Sequence, residues 1–99
     1  MSELSPEDVK LVTLARAARA RVGASEGAAV RDGDGRSYTG VAVEQPSFRL
    51  SALQLAVASA LAAGASTLEA AAVVTGSGQV DTTAVTDMTP GAPVRIMQA

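Results

Sequence analysis

The 99-residue chain has no cysteine, no histidine and no tryptophan, and its only aromatic residues are Tyr38 and Phe48. Without cysteine there is no disulfide framework, no thiolate metal site and no thiol nucleophile. Without histidine the usual general base and the commonest metal ligand are gone, and no Ser-His-Asp arrangement can be built. A glycine-rich phosphate loop closed by a lysine is also missing. Charge of one sign is scarce: 8 Lys+Arg stand against 10 Asp+Glu, a net charge of −2. That balance gives no global attraction to nucleic acid or to anionic lipid. The most apolar stretch, Leu50 to Gly64, is interrupted by Ser51, Gln54 and Ser59. It is too short for a bilayer span of about 20 residues, so no membrane contact is expected. The N-terminal MSELSPEDVK is acidic and lacks the basic and apolar segments of a secretory signal. These absences together lead to the expectation of a cytoplasmic protein.

What the chain does have is alanine, roughly a fifth of its residues and well above ordinary usage. Its length suits a single domain over residues 1–99, with a modest core of small side chains. Each such side chain buries little area, at about 25 cal/mol per Å², so self-association is expected as a supplement.

Ser5-Pro6-Glu7-Asp8 is a helix start: a capping hydroxyl, a proline at the first helical position and acids at the positive end of the dipole. The helix is expected to run to Val22, with Leu11, Leu14, Ala15, Ala18 and Val22 as its apolar stripe and Gly23 as its stop. Arg16, Arg19 and Arg21 fall in its last turns. They read either as a solvated face complementing the carbonyl end of the helix or as a small anion- or RNA-contacting patch.

A hairpin follows. Residues 27–31 form one strand, Asp32-Gly33-Asp34-Gly35 the turn, and residues 36–43 the returning strand. The Asp-x-Asp-Gly spacing lacks the further acids of a calcium loop, so a turn is expected, and the Asp32–Asp34 pair sits there rather than in a cleft. Residues 44–47 break the strand at Pro46. Leu50 to Gly64 then reads as a central helix with almost no polar side, capped by Ser47 or Ser51 and buried on all sides. Residues 67–75 form an interior strand covered on both faces. Beyond Gly78, residues 82–88 are either a short helical turn capped by Asp81 or extended, and residues 93–97 are a final strand.

The residues of the hairpin and the central helix resemble the cytidine deaminase family. Gly27-Ala28-Ala29-Val30, followed by Tyr38-Thr39-Gly40-Val41-Ala42-Val43-Glu44, is similar to that family's first hairpin, in which Val-Gly-Ala-Ala leads into Tyr-Thr-Gly-Val-Asn-Val-Glu. Leu50 to Gly64 is similar to the helix that begins Cys-Ala-Glu, although the intervening loop is about two residues short. The resemblance covers most of residues 5–75 and implies an α/β fold, with a small mixed β-sheet of about four strands covered by two main helices. It further implies a zinc ion held by one Cys or His and two further Cys, with a glutamate as proton shuttle.

Here the pattern departs from the family. Ser51 stands where the first zinc ligand belongs, Leu53 where the proton shuttle belongs, and no Pro-Cys-x-x-Cys pair follows Gly76. Of the residues that contact ribose in the family, Glu44 is kept while the asparagine is replaced by Ala42. The expectation is therefore a chain that is not an enzyme and binds no metal or other cofactor, acting as a homo-oligomerising interaction module. Two other roles stay open: a nucleoside-binding module using Glu44, and an accessory protein contacting a protein partner or ribosomal RNA through Arg16, Arg19, Arg21, Arg31, Arg36 and Arg49.

Overall fold

The computed structural model describes residues 4–99; the first three residues of the acidic N-terminal stretch lie outside the described residues. Helix α1 spans Pro6–Val22. The Ser5 hydroxyl accepts the Asp8 amide at 3.1 Å, and Gly23, at φ 64°, closes the other end by donating to the Ala20 and Arg19 carbonyls. The inward face is Asp8, Leu11, Val12, Ala15 and Ala18. Leu14 and Val22, expected in the apolar stripe, are instead exposed. The buried stripe includes Val12 in place of Leu14, because Leu11, Val12 and Ala15 are the side chains that pack on Ala29, Ala70, Ala72 and Val74 of the sheet.

Strand β1 (Glu26–Asp32) pairs antiparallel with β2 (Ser37–Val41) through the Asp-Gly turn. The returning strand stops at Val41, two residues earlier than expected, and the Ala42 amide bonds back to the Glu26 carbonyl at 3.3 Å. The expected break at residues 44–47 is a second small hairpin, β3 (Val43–Gln45) and β4 (Phe48–Leu50), turning at Pro46-Ser47. Helix α2 (Ala52–Ala62) begins at Ser51 and not at Ser47. Strand β5 (Leu68–Thr75), helix α3 (Thr83–Met88) and strand β6 (Val94–Gln98) complete the chain. Of the two expectations for residues 82–88 the helical one holds over Thr83–Met88, with Thr82 and not Asp81 at the N-cap position. Asp81 accepts from the Thr83 amide, and buried Val85 anchors the turn against the sheet side of α2.

The main sheet has the order β2-β1-β5-β6, antiparallel except for the parallel β5–β6 pair. Strands β2 and β5 both oppose β1, so they run in the same direction, and α2 makes the crossover between them. The two central strands are buried on both faces. Ala28, Val30, Ala71 and Val73 face α2 and α3. Ala29, Ala70, Ala72 and Val74 face α1. Small residues set the spacing: a Cβ on Gly40 would sit 2.5 Å from the Ala52 carbonyl and the Ala56 amide, so α2 rests directly on β2. The radius of gyration is 12.3 Å, close to the roughly 13 Å expected of a compact chain of this length.

Helix α2 is not buried all round. Ala52, Leu53, Ala56, Val57 and Ala60 enter the core, but Ala58, Ala62 and Leu61, the last 55 % exposed, do not. Among the described residues, no helix is long and apolar enough to cross a membrane.

Candidate functional site

A cleft of about 340 Å³ opens between the start of β1, the β3–β4 hairpin and the first turn of α2. Glu26, Ala42, Glu44, Arg49, Ser51 and Gln54 supply its chemistry. It falls in the size range of small-molecule sites, roughly 300–1,000 Å³. The fold therefore brings Ala42, Glu44 and Ser51 together on one cleft. Leu53 is not there. It is 1 % exposed and packs in the core with Ala28, Val30 and Val73.

The first turn of α2 is held by a reciprocal cap. The Ser51 hydroxyl accepts the Gln54 amide at 3.0 Å, and the Gln54 side-chain oxygen accepts the Ser51 amide at 2.9 Å. A third contact has no counterpart in the sequence reading: a Glu26 carboxylate oxygen accepts the Ala52 amide at 3.1 Å. Glu26 precedes the Gly-Ala-Ala-Val strand and reads in sequence as one more surface acid. Its long-range contact with residue 52 leaves no local signal, so only pairing of β1 across the sheet reveals it. Across the hairpin Glu44 stands opposite Arg49.

The donor set does not fit a zinc ion. Ser51 offers a neutral hydroxyl already engaged as a helix cap, and the chain has no cysteine or histidine to complete a coordination shell. Among the described residues, no group of three or more acidic, cysteine or histidine side chains converges as a metal site.

The arginines lie elsewhere. Arg16 donates to the Gln98 carbonyl at 3.1 Å and Arg19 to the Ser25 carbonyl at 3.3 Å, while Arg21 is exposed in the last turn of α1. Arg31 donates to Glu69 at 2.7 Å and to buried Asp8 at 3.2 Å; Arg95 approaches the other Asp8 oxygen at 3.5 Å. The Glu69 hydrogen bond raises the Arg31 pKa, and it does so against the opposing effect of burial; Asp8 adds to the rise. Of the six arginines named as a nucleic-acid surface, only Arg49 lines the cleft. Asp32, expected in the turn, is instead the last residue of β1 and buried, paired with Leu68 of β5, and only Gly33-Asp34-Gly35 form the turn. The Asp32 carboxylate accepts the Asp34 and Arg36 amides, each at 2.9 Å, and the Tyr38 hydroxyl at 3.0 Å. Burial alone would raise its pKa, but the Arg36 amide, the Tyr38 hydroxyl and the Asp34 amide outweigh it and hold the carboxyl below its ordinary value.

Comparison with known proteins supplies the context for this cleft. A family model described as cytidine deaminase-like matches residues 4–99. Among solved structures, the chain is similar to cytidine deaminase from Mycobacterium leprae, with 26 % identity and a TM-score of 0.74, covering 95 % of this chain and 89 % of that one. It is also similar to cytidine deaminase from Burkholderia pseudomallei, with 23 % identity and a TM-score of 0.74, covering 96 % and 86 %. No curated protein sequence matches.

The expectation that the chain is not an enzyme is corrected by these matches, because family and structural relatives alike point to an enzyme family. That expectation rested on Ser51, Leu53 and the missing Pro-Cys-x-x-Cys pair after Gly76, which bear on one metal-dependent route and not on catalysis in general. The fold, the hairpin and helix signatures and the match over residues 4–99 agree, and the chain belongs to the cytidine deaminase-like family.

Proposed function

We propose that the chain binds a cytidine-class nucleoside in the cleft at the first turn of α2. The observation that carries this reading is the convergence of Ala42, Glu44, Arg49 and Ser51 on one 340 Å³ cleft. Two elements build that convergence. The β3–β4 hairpin delivers Glu44 and Arg49, whose hydrogen-bonding groups suit a ribose diol, and the capped start of α2 forms the opposite wall. Calorimetric titration of the full chain with cytidine and uridine tests the reading. Heat of binding and a raised melting temperature are expected, and neither signal at millimolar ligand would end it.

A second reading concerns assembly, and a separate observation favours it. An apolar groove of about 440 Å³ lies between α2 and α3, lined by Leu50, Val57, Ala58, Leu61 and Met88. Exposed Leu61 and nearby apolar atoms gain about 25 cal/mol per Å² on being covered, so a second copy of the chain is the proposed occupant. The interaction role then belongs to the outer face of α2, which meets the cleft only at Leu50 and Gln54.

A further inference from the structure

We propose that Glu26 is the residue that selects the ligand of the cleft, by accepting a hydrogen bond from an N–H donor on the base. The proposal rests on the nucleoside reading of that cleft.

Glu26 is held on three sides. Its carbonyl accepts the Ala42 amide at 3.3 Å, its backbone pairs with Thr75 of β5, and one carboxylate oxygen is tied to the Ala52 amide at 3.1 Å. The next residue, Gly27, has no room for a Cβ against the Ala15 carbonyl of α1, so β1 rests directly on that helix at this point. A carboxylate fixed by one oxygen presents its other oxygen in a defined direction.

The surroundings decide what that oxygen accepts. A helix start ordinarily offers free amides to an anion. Here the Ala52 amide goes to Glu26, the Gln54 amide to the Ser51 hydroxyl and the Ser51 amide to Gln54, all within the chain. The charged groups lining the cleft are Glu26, Glu44 and Arg49, a local net charge of −1. Three of the four leading amides of α2 are therefore already taken, and the helix start faces a cleft of net negative charge where it would usually offer donors. A phosphate is repelled there, whereas the exocyclic amino group of a base is accepted. Neither Glu44 nor Ser51 duplicates this role, because Glu44 sits on the hairpin side and the Ser51 hydroxyl is already a cap.

The test compares cytidine, N4,N4-dimethylcytidine, which lacks the amino donors, and cytidine 5′-monophosphate. Each is titrated calorimetrically into the full chain and into Glu26→Gln. The glutamine oxygen can still accept the Ala52 amide, so an unchanged melting temperature verifies that the fold is kept. For the native chain, cytidine is expected to bind roughly tenfold or more tighter than the dimethyl analogue, as loss of a charge-assisted hydrogen bond requires. The same chain should bind the monophosphate more weakly than cytidine. In Glu26→Gln both preferences should shrink toward equal binding. Cytidine binding with the same preferences in Glu26→Gln as in the native chain overturns the role of Glu26 while leaving the nucleoside reading intact. No binding of any of the three by the native chain overturns both.

Discussion

Ser51 holds the first turn of α2 through a hydroxyl that faces the Gln54 amide. Replacing Ser51 by Ala removes that bond and leaves Gln54 to cap alone. A loss of about 1 kcal/mol is expected, read from the urea midpoint with an unchanged slope. The same hydroxyl bears on metal content. Elemental analysis of the purified chain should find well below one equivalent of zinc, and a full equivalent would mean that the oxygen donors around Ser51 hold the ion after all. Gly40 carries the packing at this scale. Its missing Cβ is what lets α2 approach β2, so Gly40→Ala should destabilise by about 1–3 kcal/mol through overpacking.

Between elements, Asp8 is the joint that ties α1 to β1 and β6. Its carboxylate is buried with Arg31 on one oxygen and Arg95 on the other. Asp8→Asn keeps the shape but leaves both guanidinium groups without a counter-charge there. A cost of about 2 kcal/mol is expected, below that of a fully buried pair because Arg95 remains partly solvated. The β1–β2 turn responds to pH through Asp32. Its folded-state pKa lies below the ordinary 3.8, so the folded chain holds the carboxylate ionised where the unfolded chain protonates it. The resulting stability is fully present above 3.8 and is lost as pH falls from there through the folded value. Melting temperatures measured downward from about pH 5 should therefore fall less steeply for Asp32→Asn than for the native chain.

At the scale of the whole molecule, two clusters of small side chains sandwich one sheet, one under α1 and the other under α2 and α3. Their alanines permit close approach of the helices but bury little surface each, which leaves the outer face of α2 as the place where further apolar area can be covered. Light scattering on the full chain should give a mass above that of one 9.9 kDa copy. Leu61→Glu should return it to a single copy without disturbing the cleft, since Leu61 is exposed and does not line it. A single-copy mass for the native chain would remove this assembly surface.

Most of the elements are legible in the residues, although the β3–β4 hairpin, which stands where a plain break is expected, is not. Ser5-Pro6 and Gly23 bound α1, Asp-Gly pairs set the turn, and an unbroken apolar run marks β5, because caps, turns and two-face burial each leave a local chemical signature. The family resemblance likewise follows from the hairpin and helix residues, and through it the sequence points to Ala42, Glu44 and Ser51, whose meeting place only the fold shows. Local rules could not say which side of α1 faces inward, because Leu14 and Val12 are equally apolar and the surface of the sheet chooses between them. They could not show that Leu61 stays outside, since the number of neighbours around α2 is a property of the assembled layers. Least of all could they join Glu26 to Ala52, residues 26 positions apart. That contact exists because β1, β2 and α2 stack in one order, and only the tertiary structure places a carboxylate of the first strand on the first turn of the second helix.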